Sequence, residues 1–338
     1  MKKAKLLLKV LLVLACLGVL GWLYVTHDGI QYTLAFVTRS FGKPYFDPAA
    51  YSADANCDGA KPCSSGAIKV MTFNVLCNGC DKPEFDPWEK RLPHLIDRIE
   101  QYDPDLWGSQ ELVGNSDIET FLQAFPAYAC VTYKLARWAY ADCALFYRKD
   151  RFEVLDSGQM WLSPKPTVPL AAAWKPLSVP RYVNWVYLRQ KENGFRFLYV
   201  NTHFDNNGPN KEPSAVVFSE TYGALAKTLP IIATGDFNTD ATTQRYKNLE
   251  GGTDGLPKLE DAMHLAQKKD VINTIPPDTK LEDRETFIDP AHLIDHIFVA
   301  GPIKKEVLRW VLDASTYGEQ SRLPSDHPSV YAEIVLSL

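Results

Sequence analysis

Six short segments place side chains that can do chemistry at the end of an apolar run, within one or just before one. MTFNV carries Asn74, WGSQE carries Glu111, and NTHFD carries His203 and Asp205. TGDFN carries Asp236 and Asn238, LIDHIFV carries Asp295, and PSDH carries Asp326 and His327. Carboxylates can activate water or hold a hard cation, and histidines exchange protons near neutral pH. Asp236 and Asn238 are two apart, so on extended backbone they point to the same side. Singly, each has an ordinary explanation, since Asp and Asn often close turns at strand ends and a lone histidine is more often packed than reactive. Asp295 is harder to dismiss, because a carboxylate between Ile and Phe residues requires a partner or a metal. Chemistry follows only if these strand ends meet.

The elements that would position them are legible as periodicities. IKVMTFNVL, PDLWGSQE and LPIIATGDFN are expected strands, as are segments 128–134, 143–148, 152–162, 182–190 and 195–203. HLIDHIFVA, EVLRWVLD and SVYAEIVLSL complete the strand set. WEKRLPHLIDRIEQY places Leu92, Leu95, Ile96 and Ile99 on one helical face, with Pro93 expected in its first turn. Ser116-x-x-Glu119 has the spacing of a capping box, and SAVVFSETYGALAK is a second amphipathic candidate. Strands outnumber helices and many are neighbours joined by turns. Two mixed, mainly antiparallel sheets packed face to face, with helices outside, satisfy that order.

The ordered set MTFNV, SQE, NTHFD, GDFN, IDHIFV and PSDH resembles the endonuclease/exonuclease/phosphatase family over about residues 68–338. The resemblance implies the four-layer α/β/β/α sandwich of deoxyribonuclease I and divalent-metal-dependent cleavage of phosphoesters. ALFYRKDRFEVLDSGQMWLSPKP and RYVNWVYL extend it to bacterial members of no settled substrate. Two departures bear on substrate preference: Asn206 and Asn207 stand where related sequences often carry a second histidine, and CNGC follows Asn74.

From the resemblance and ligand chemistry together, Glu111 is the first-choice metal ligand, with Asn74 and Asp326 beside it. The expected ion is Mg²⁺, with Mn²⁺ as an alternative, because hard oxygen ligands suit it. Asp236 would orient or deprotonate the attacking water, Asn238 would donate to the phosphate, and His203 would donate to a nonbridging oxygen. His327, oriented by Asp295, would stabilise the developing charge. Asp326 and His327 are adjacent, so a local turn is needed for both to face one cleft.

The chain has 338 residues, 46% hydrophobic and 12% aromatic, which suits a globular protein without repeats or low-complexity tracts. Its net charge is −5, and without Lys2, Lys3, Lys5 and Lys9 the balance is 32 basic to 41 acidic groups, about −9. That balance argues against a broad electrostatic grip on a long nucleic acid. A phosphoester substrate is the expected partner, whether nucleic acid, phospholipid headgroup or small phosphoester, and no protein partner is evident.

Residues 6–25 form an apolar run long enough to cross a bilayer behind a short lysine-rich tail, residues 1–5. The expected order is tail, signal anchor, a stalk over 26–67 and a catalytic domain over 68–338, held on the extracytoplasmic side. A lipoprotein processed at Cys16 and a cleaved signal peptide are the alternatives. Six cysteines beyond the run fit disulfides, with Cys130 and Cys143 as the simplest local pair, and a zinc or redox role for Cys77 and Cys80 as the rival.

Overall fold

The computed structural model describes residues 2–26, 63–80, 82–132, 142–167, 173–174, 181–206, 208–251, 256–282 and 284–337. Two compact units result, one of residues 1–44 with 134–140 and the other of 45–133 with 141–338. The described part of the first is helix α1, Lys2–Thr26, whose side chains are described over 9–22. Among the described residues no helix is long and apolar enough to cross a membrane. Most of the expected stalk, with Cys57, lies outside the described residues, as do Asn207 and Trp138.

The second unit is built on thirteen described strands. In chain order they are β1 (Ser64–Asn74), β2 (Leu106–Gln110), β3 (Tyr128–Val131), β4 (Leu145–Arg148), β5 (Phe152–Trp161), β6 (Tyr182–Gln190) and β7 (Arg196–His203). There follow β8 (Ile231–Asp236), β9 (Glu260–Asp261), β10 (Lys269–Asn273), β11 (Asp295–Ala300), β12 (Lys304–Ala314) and β13 (Ser329–Ser337). One sheet runs β10-β12-β13-β1-β2-β4-β3 and the other β5-β6-β7-β8-β11-β9. Both are mixed and mainly antiparallel; β1–β2, β10–β12 and β7–β8 are the parallel pairs.

Three apolar layers separate four layers of structure. Ile68, Val70, Tyr199, Ile232, Ile297 and Val330 lie in the layer between the sheets. Helices α2 (Trp88–Tyr102) and α3 (Asn115–Ala124) cover the outer face of the first sheet through Leu95, Ile99 and Phe121. Helices α4 (Gly208–Leu225) and α5 (Gln244–Gly251) cover the second through Phe218, Tyr222 and Leu249. Central strands are therefore buried on both faces, which is why IKVMTF and IIATG read as nearly unbroken apolar runs. The short helices α6 (Ala262–Leu265) and α7 (Glu285–Ile288) complete the set.

Several local expectations need correction. Pro93 is the sixth residue of α2 rather than part of its first turn, so it removes a donor from within the helix. Helix α3 begins at Asn115 after Gly114 with no side-chain cap, which leaves Ser116 inside the helix and no capping box. Cys143 is a buried free thiol, so the Cys130–Cys143 pair does not form. Cys77 and Cys80 are joined in a disulfide, which leaves no zinc site there in this oxidised state.

A polar seam crosses the inter-sheet layer below the strand ends. Gln110 Nε2 donates to Asn201 Oδ1 at 2.7 Å and to Thr72 Oγ1 at 3.1 Å, while Thr234 Oγ1 reaches Asn201 Oδ1 at 3.1 Å. Every member is fully buried and has a partner, so the seam ties the sheets without the cost of an orphaned polar group. Gly108 makes room for it: a Cβ there would lie 2.3 Å from Thr234 Oγ1.

Candidate active site

Strand register delivers the reactive groups. His203 pairs with Asp236 across β7 and β8, and Asp236 pairs with Asp295 across β8 and β11, so three strands end in one row. On the facing sheet Asn74 pairs with Gln110 at the ends of β1 and β2, which brings Glu111 beside Asn74. Leu76, Glu111 and Asn238, just past the ends of β1, β2 and β8, adopt left-handed φ values of 51°, 62° and 48°. Each chain thus turns sharply as it leaves its sheet. Non-glycine residues there cost about 1–3 kcal/mol each and persist only when their surroundings hold them.

The hub is Asp236. Its Oδ2 is 3.2 Å from Asn74 Nδ2, 3.2 Å from His203 Nε2 and 3.7 Å from His327 Nε2, and its Oδ1 accepts from the Asn238 N–H at 2.8 Å. His203 has carboxylates on both sides, Asp236 at one nitrogen and Asp142 Oδ2 at 2.9 Å from the other. A carboxylate beside each nitrogen favours the doubly protonated ring. Burial pulls its pKa down, but Asp142 and Asp236 outweigh that and raise it. Asp142 responds in kind: burial pushes it up, His203 and Arg181 push it down further, and it settles at about 2.

His327 Nδ1 bonds Asp295 Oδ2 at 2.7 Å. Burial disfavours the charged ring, yet Asp295 and Asp236 hold its pKa well above the ordinary histidine value. Asp326 and His327 lie in a bend over 324–327, the turn that adjacent residues needed. Ser325 organises it, since its Oγ donates to the Asn74 carbonyl at 2.6 Å and accepts from the His327 N–H at 3.3 Å. Buried Arg91 clamps the same region from α2, donating to the carbonyls of Val75, Leu76 and Pro324 at 2.8–2.9 Å.

These groups open on a cleft of about 310 Å³ whose walls include Lys82, Glu111, Arg181, His203, Asp236 and His327. All eight residues picked out from the sequence come together here, but His203, Asn238 and Asn74 do so differently from expectation. Both ring nitrogens of His203 are engaged by carboxylates, so it fixes Asp236 rather than presenting a free N–H to phosphate. Asn238 lines the cleft, yet its Nδ2 donates to the Phe204 carbonyl at 2.9 Å, which anchors the turn after β8.

Sequence reasoning missed Asp142, Arg181 and Lys82. Asp142 supports His203, accepts from the Glu111 N–H at 2.8 Å and pairs with Arg181. Arg181 begins RYVNWVYL, a segment that carried family likeness but no assigned role. Lys82 pairs with Asp326 and also feels Glu111.

A hard divalent cation fits the donors. Glu111 and Asp326 both line the cleft, and the Lys82 ammonium already rests against Asp326 in the field of Glu111, so the hollow favours positive charge. Asn74 stands beside Glu111, with its Nδ2 at 3.3 Å from Glu111 Oε1 and its Oδ1 accepting from the Leu76 N–H at 3.1 Å. It therefore braces the carboxylates here. Asp236, Asp295 and His327 also bring ligand atoms within 4.8 Å of one another, but His327 Nδ1 is committed to Asp295, which marks an acid–base pair.

Comparison with known proteins agrees with this geometry. Residues 71–327 match the Endonuclease/Exonuclease/phosphatase family. A Bacteroides thetaiotaomicron structure described as a mannosyl-6-phosphatase is 30% identical with a TM-score of 0.65, covering 79% of this chain and 99% of that one. A structure of an endonuclease/exonuclease/phosphatase family protein from the same organism is also 30% identical at a TM-score of 0.65, covering 80% of this chain and 98% of that one. Nocturnin of Xenopus laevis is 25% identical over 296 residues, 79% of this chain and 71% of that protein. The chain belongs to the endonuclease/exonuclease/phosphatase family and is a metal-dependent phosphoesterase.

Proposed function

We propose that the protein hydrolyses a phosphomonoester of a small, polar alcohol, of the sugar phosphate class, with water as the nucleophile. The carrying observation is the meeting of Asn74, His203 and His327 around one oxygen of Asp236 at the floor of a compact cleft. Asp236, held by these donors, orients the attacking water and accepts its proton. His327, kept protonated by Asp295, donates to the oxygen on which negative charge develops. Arg181 and Lys82 supply positive charge in the cleft for the phosphate oxygens. Glu111, braced by Asn74, and Asp326 would hold the divalent ion, which supplies Lewis acidity and charge neutralisation when bound.

A small alcohol is supported by the 30% identical relative named as a mannosyl-6-phosphatase and by Glu84 and Glu282 in the cleft wall, which disfavour a polyanionic strand. A nuclease is the second reading, favoured by the family itself. The purified full chain with Mg²⁺ should release phosphate from hexose 6-phosphates and lose that activity entirely in EDTA. Rapid cleavage of DNA or RNA without action on sugar phosphates would replace the first reading with the second, and undiminished turnover without metal would reject the cation.

The same proposal places the catalytic unit outside the cytoplasm, tethered by the lysine-flanked apolar run of residues 6–25. Carbonate extraction and protease access in intact cells test it; a protein released by carbonate, or protected from external protease after outer-layer permeabilisation, would sink it.

A further inference from the structure

The CNGC turn lies against the proposed metal-binding carboxylate, and nothing in the hydrolytic reading uses its sulfurs. Cys77, Cys80 and Glu111 bring one ligand atom each within 4.8 Å of one another. The Cys77 N–H donates to Glu111 Oε2 at 3.2 Å, which ties the turn directly to that carboxylate. Hydrogen bonds and backbone shape hold the turn alongside the disulfide. Cys80 N donates to the Cys77 carbonyl at 3.0 Å, Gly79 supplies the left-handed φ of 84°, and Asn78 Nδ2 donates to Asp117 Oδ1 at 3.1 Å. Arg91 fixes the Leu76 carbonyl just before it. The two sulfurs therefore stay adjacent when the bond between them is cut, with Cα atoms 5.1 Å apart in the oxidised form.

We propose that reduction of Cys77–Cys80 creates a second metal site, Cys77–Cys80–Glu111, which takes a thiophilic divalent cation such as Zn²⁺ and switches the enzyme off by removing Glu111 from its own ion. A dithiol reductant delivers two electrons and two protons, is itself oxidised to a disulfide, and leaves two thiols. Binding of the cation then releases those two protons, because thiolates are the ligands. Tetrahedral zinc with bonds of about 2.0–2.3 Å spaces its ligands about 3.3–3.8 Å apart, which the three atoms reach with small side-chain movements. A water completes the four positions. Glu111 cannot serve both ions in full, so soft-metal capture and Mg²⁺ use compete. Cys80 is half-exposed beside the exposed Asn78 and Gly79, which gives a reductant its approach.

The inhibition depends on the phosphoesterase reading; the metal site does not. The full chain is reduced with a dithiol, freed of it by anaerobic gel filtration and titrated with Zn²⁺ against a chromophoric chelator. Reduced wild type should hold about one more zinc than reduced Cys80→Ala or reduced Cys77→Ser/Cys80→Ser, while oxidised wild type matches the variants. Comparing reduced proteins throughout cancels any zinc taken by other cysteines, and Cys80→Ala serves if the double variant folds poorly. Glu111→Gln should weaken the extra site by at least about tenfold, read as zinc affinity alone. Phosphatase activity of reduced wild type should fall at least about tenfold at one equivalent of zinc and return with a zinc-selective chelator, with Cys80→Ala unaffected. Equal zinc content in reduced wild type and variants overturns the site. Extra zinc without loss of activity overturns the switch.

Discussion

Strand β11 begins with two neighbours that point to opposite faces, and each makes an Asp–His pair. Asp295 bonds His327 at 2.7 Å, and His296 bonds Asp261 at 2.9 Å. By composition and distance the pairs are nearly the same. They differ in what the remaining atoms meet. The second nitrogen of His296 donates to the Thr239 carbonyl at 2.9 Å, Asp261 also accepts from the Tyr246 hydroxyl at 2.8 Å, and all is sealed within the protein. The second nitrogen of His327 faces Asp236 across 3.7 Å at the cleft, and Asp295 Oδ1 has no hydrogen-bond partner among the described residues. An Asp–His pair is therefore a brace when every atom is engaged, and a working acid when one N–H is left facing a cavity. The brace holds Thr239, in the loop that follows Asp236, so it keeps the reactive end of β8 in place.

The contrast can be broken by substitution. Asp236→Asn should lower kcat/KM by about 10²–10⁴ while the fold is retained, since it removes a general base without emptying space. A fully active, folded Asn variant would end its role. His327→Ala follows, with an expected loss of about 10²–10³ in kcat, the scale of removing one donor to a developing charge. His296→Gln should do the reverse: about 3–5 kcal/mol lower stability, because Asp261 is left charged and buried, with kcat largely kept below the melting range. If instead kcat collapsed while chemical denaturation showed full stability, the two pairs would not divide in this way.

The brace also predicts a pH signature. Burial disfavours the charged His296, but Asp261 raises its pKa above 6.5; its contribution is fully present below 6.5 and is lost as pH rises through the raised value. Burial likewise opposes charge on Asp261, yet His296 lowers its pKa below 3.8; that contribution is present above 3.8 and lost as pH falls through the lowered value. The stability gap between wild type and His296→Gln should thus be widest between pH 3.8 and 6.5 and narrow toward alkaline pH. A gap independent of pH in urea titrations would mean the pair is not ionised. The smallest effect belongs to Lys82→Ala: its side chain is 47% exposed, so its pairing with Asp326 should be worth less than about 1 kcal/mol of stability.

Much of this arrangement was legible because it rests on local pattern. The nearly unbroken apolar runs of β1, β8 and β11 marked strands covered on both sides, and the polar group at one end of each run marked the end that faces the site. Helix α2 was read over its observed residues from its apolar face. What escaped depends on distance along the chain. Asp142 and Arg181 are 39 residues apart and meet only through the fold, and neither sits in a periodic segment that would single it out. The two-residue β9 and exposed β10 are held by pairing to β11 and β12 rather than by their own pattern. The His203 and Asn238 roles shifted for the same reason: residue type suggested donors to a ligand, while the fold set a carboxylate at each His203 nitrogen and gave one Asn238 amide hydrogen to the Phe204 carbonyl.

The left-handed residues past β1, β2 and β8 bear on any attempt to transplant this cleft. Copying the eight side chains onto another sandwich would reproduce the inventory without the three reversals of backbone direction that aim it. A recipient loop of ordinary extended conformation would send Glu111 and Asn238 elsewhere, and a β-branched residue at either position would resist the required twist. Portability here resides in main-chain shape first and in functional groups second.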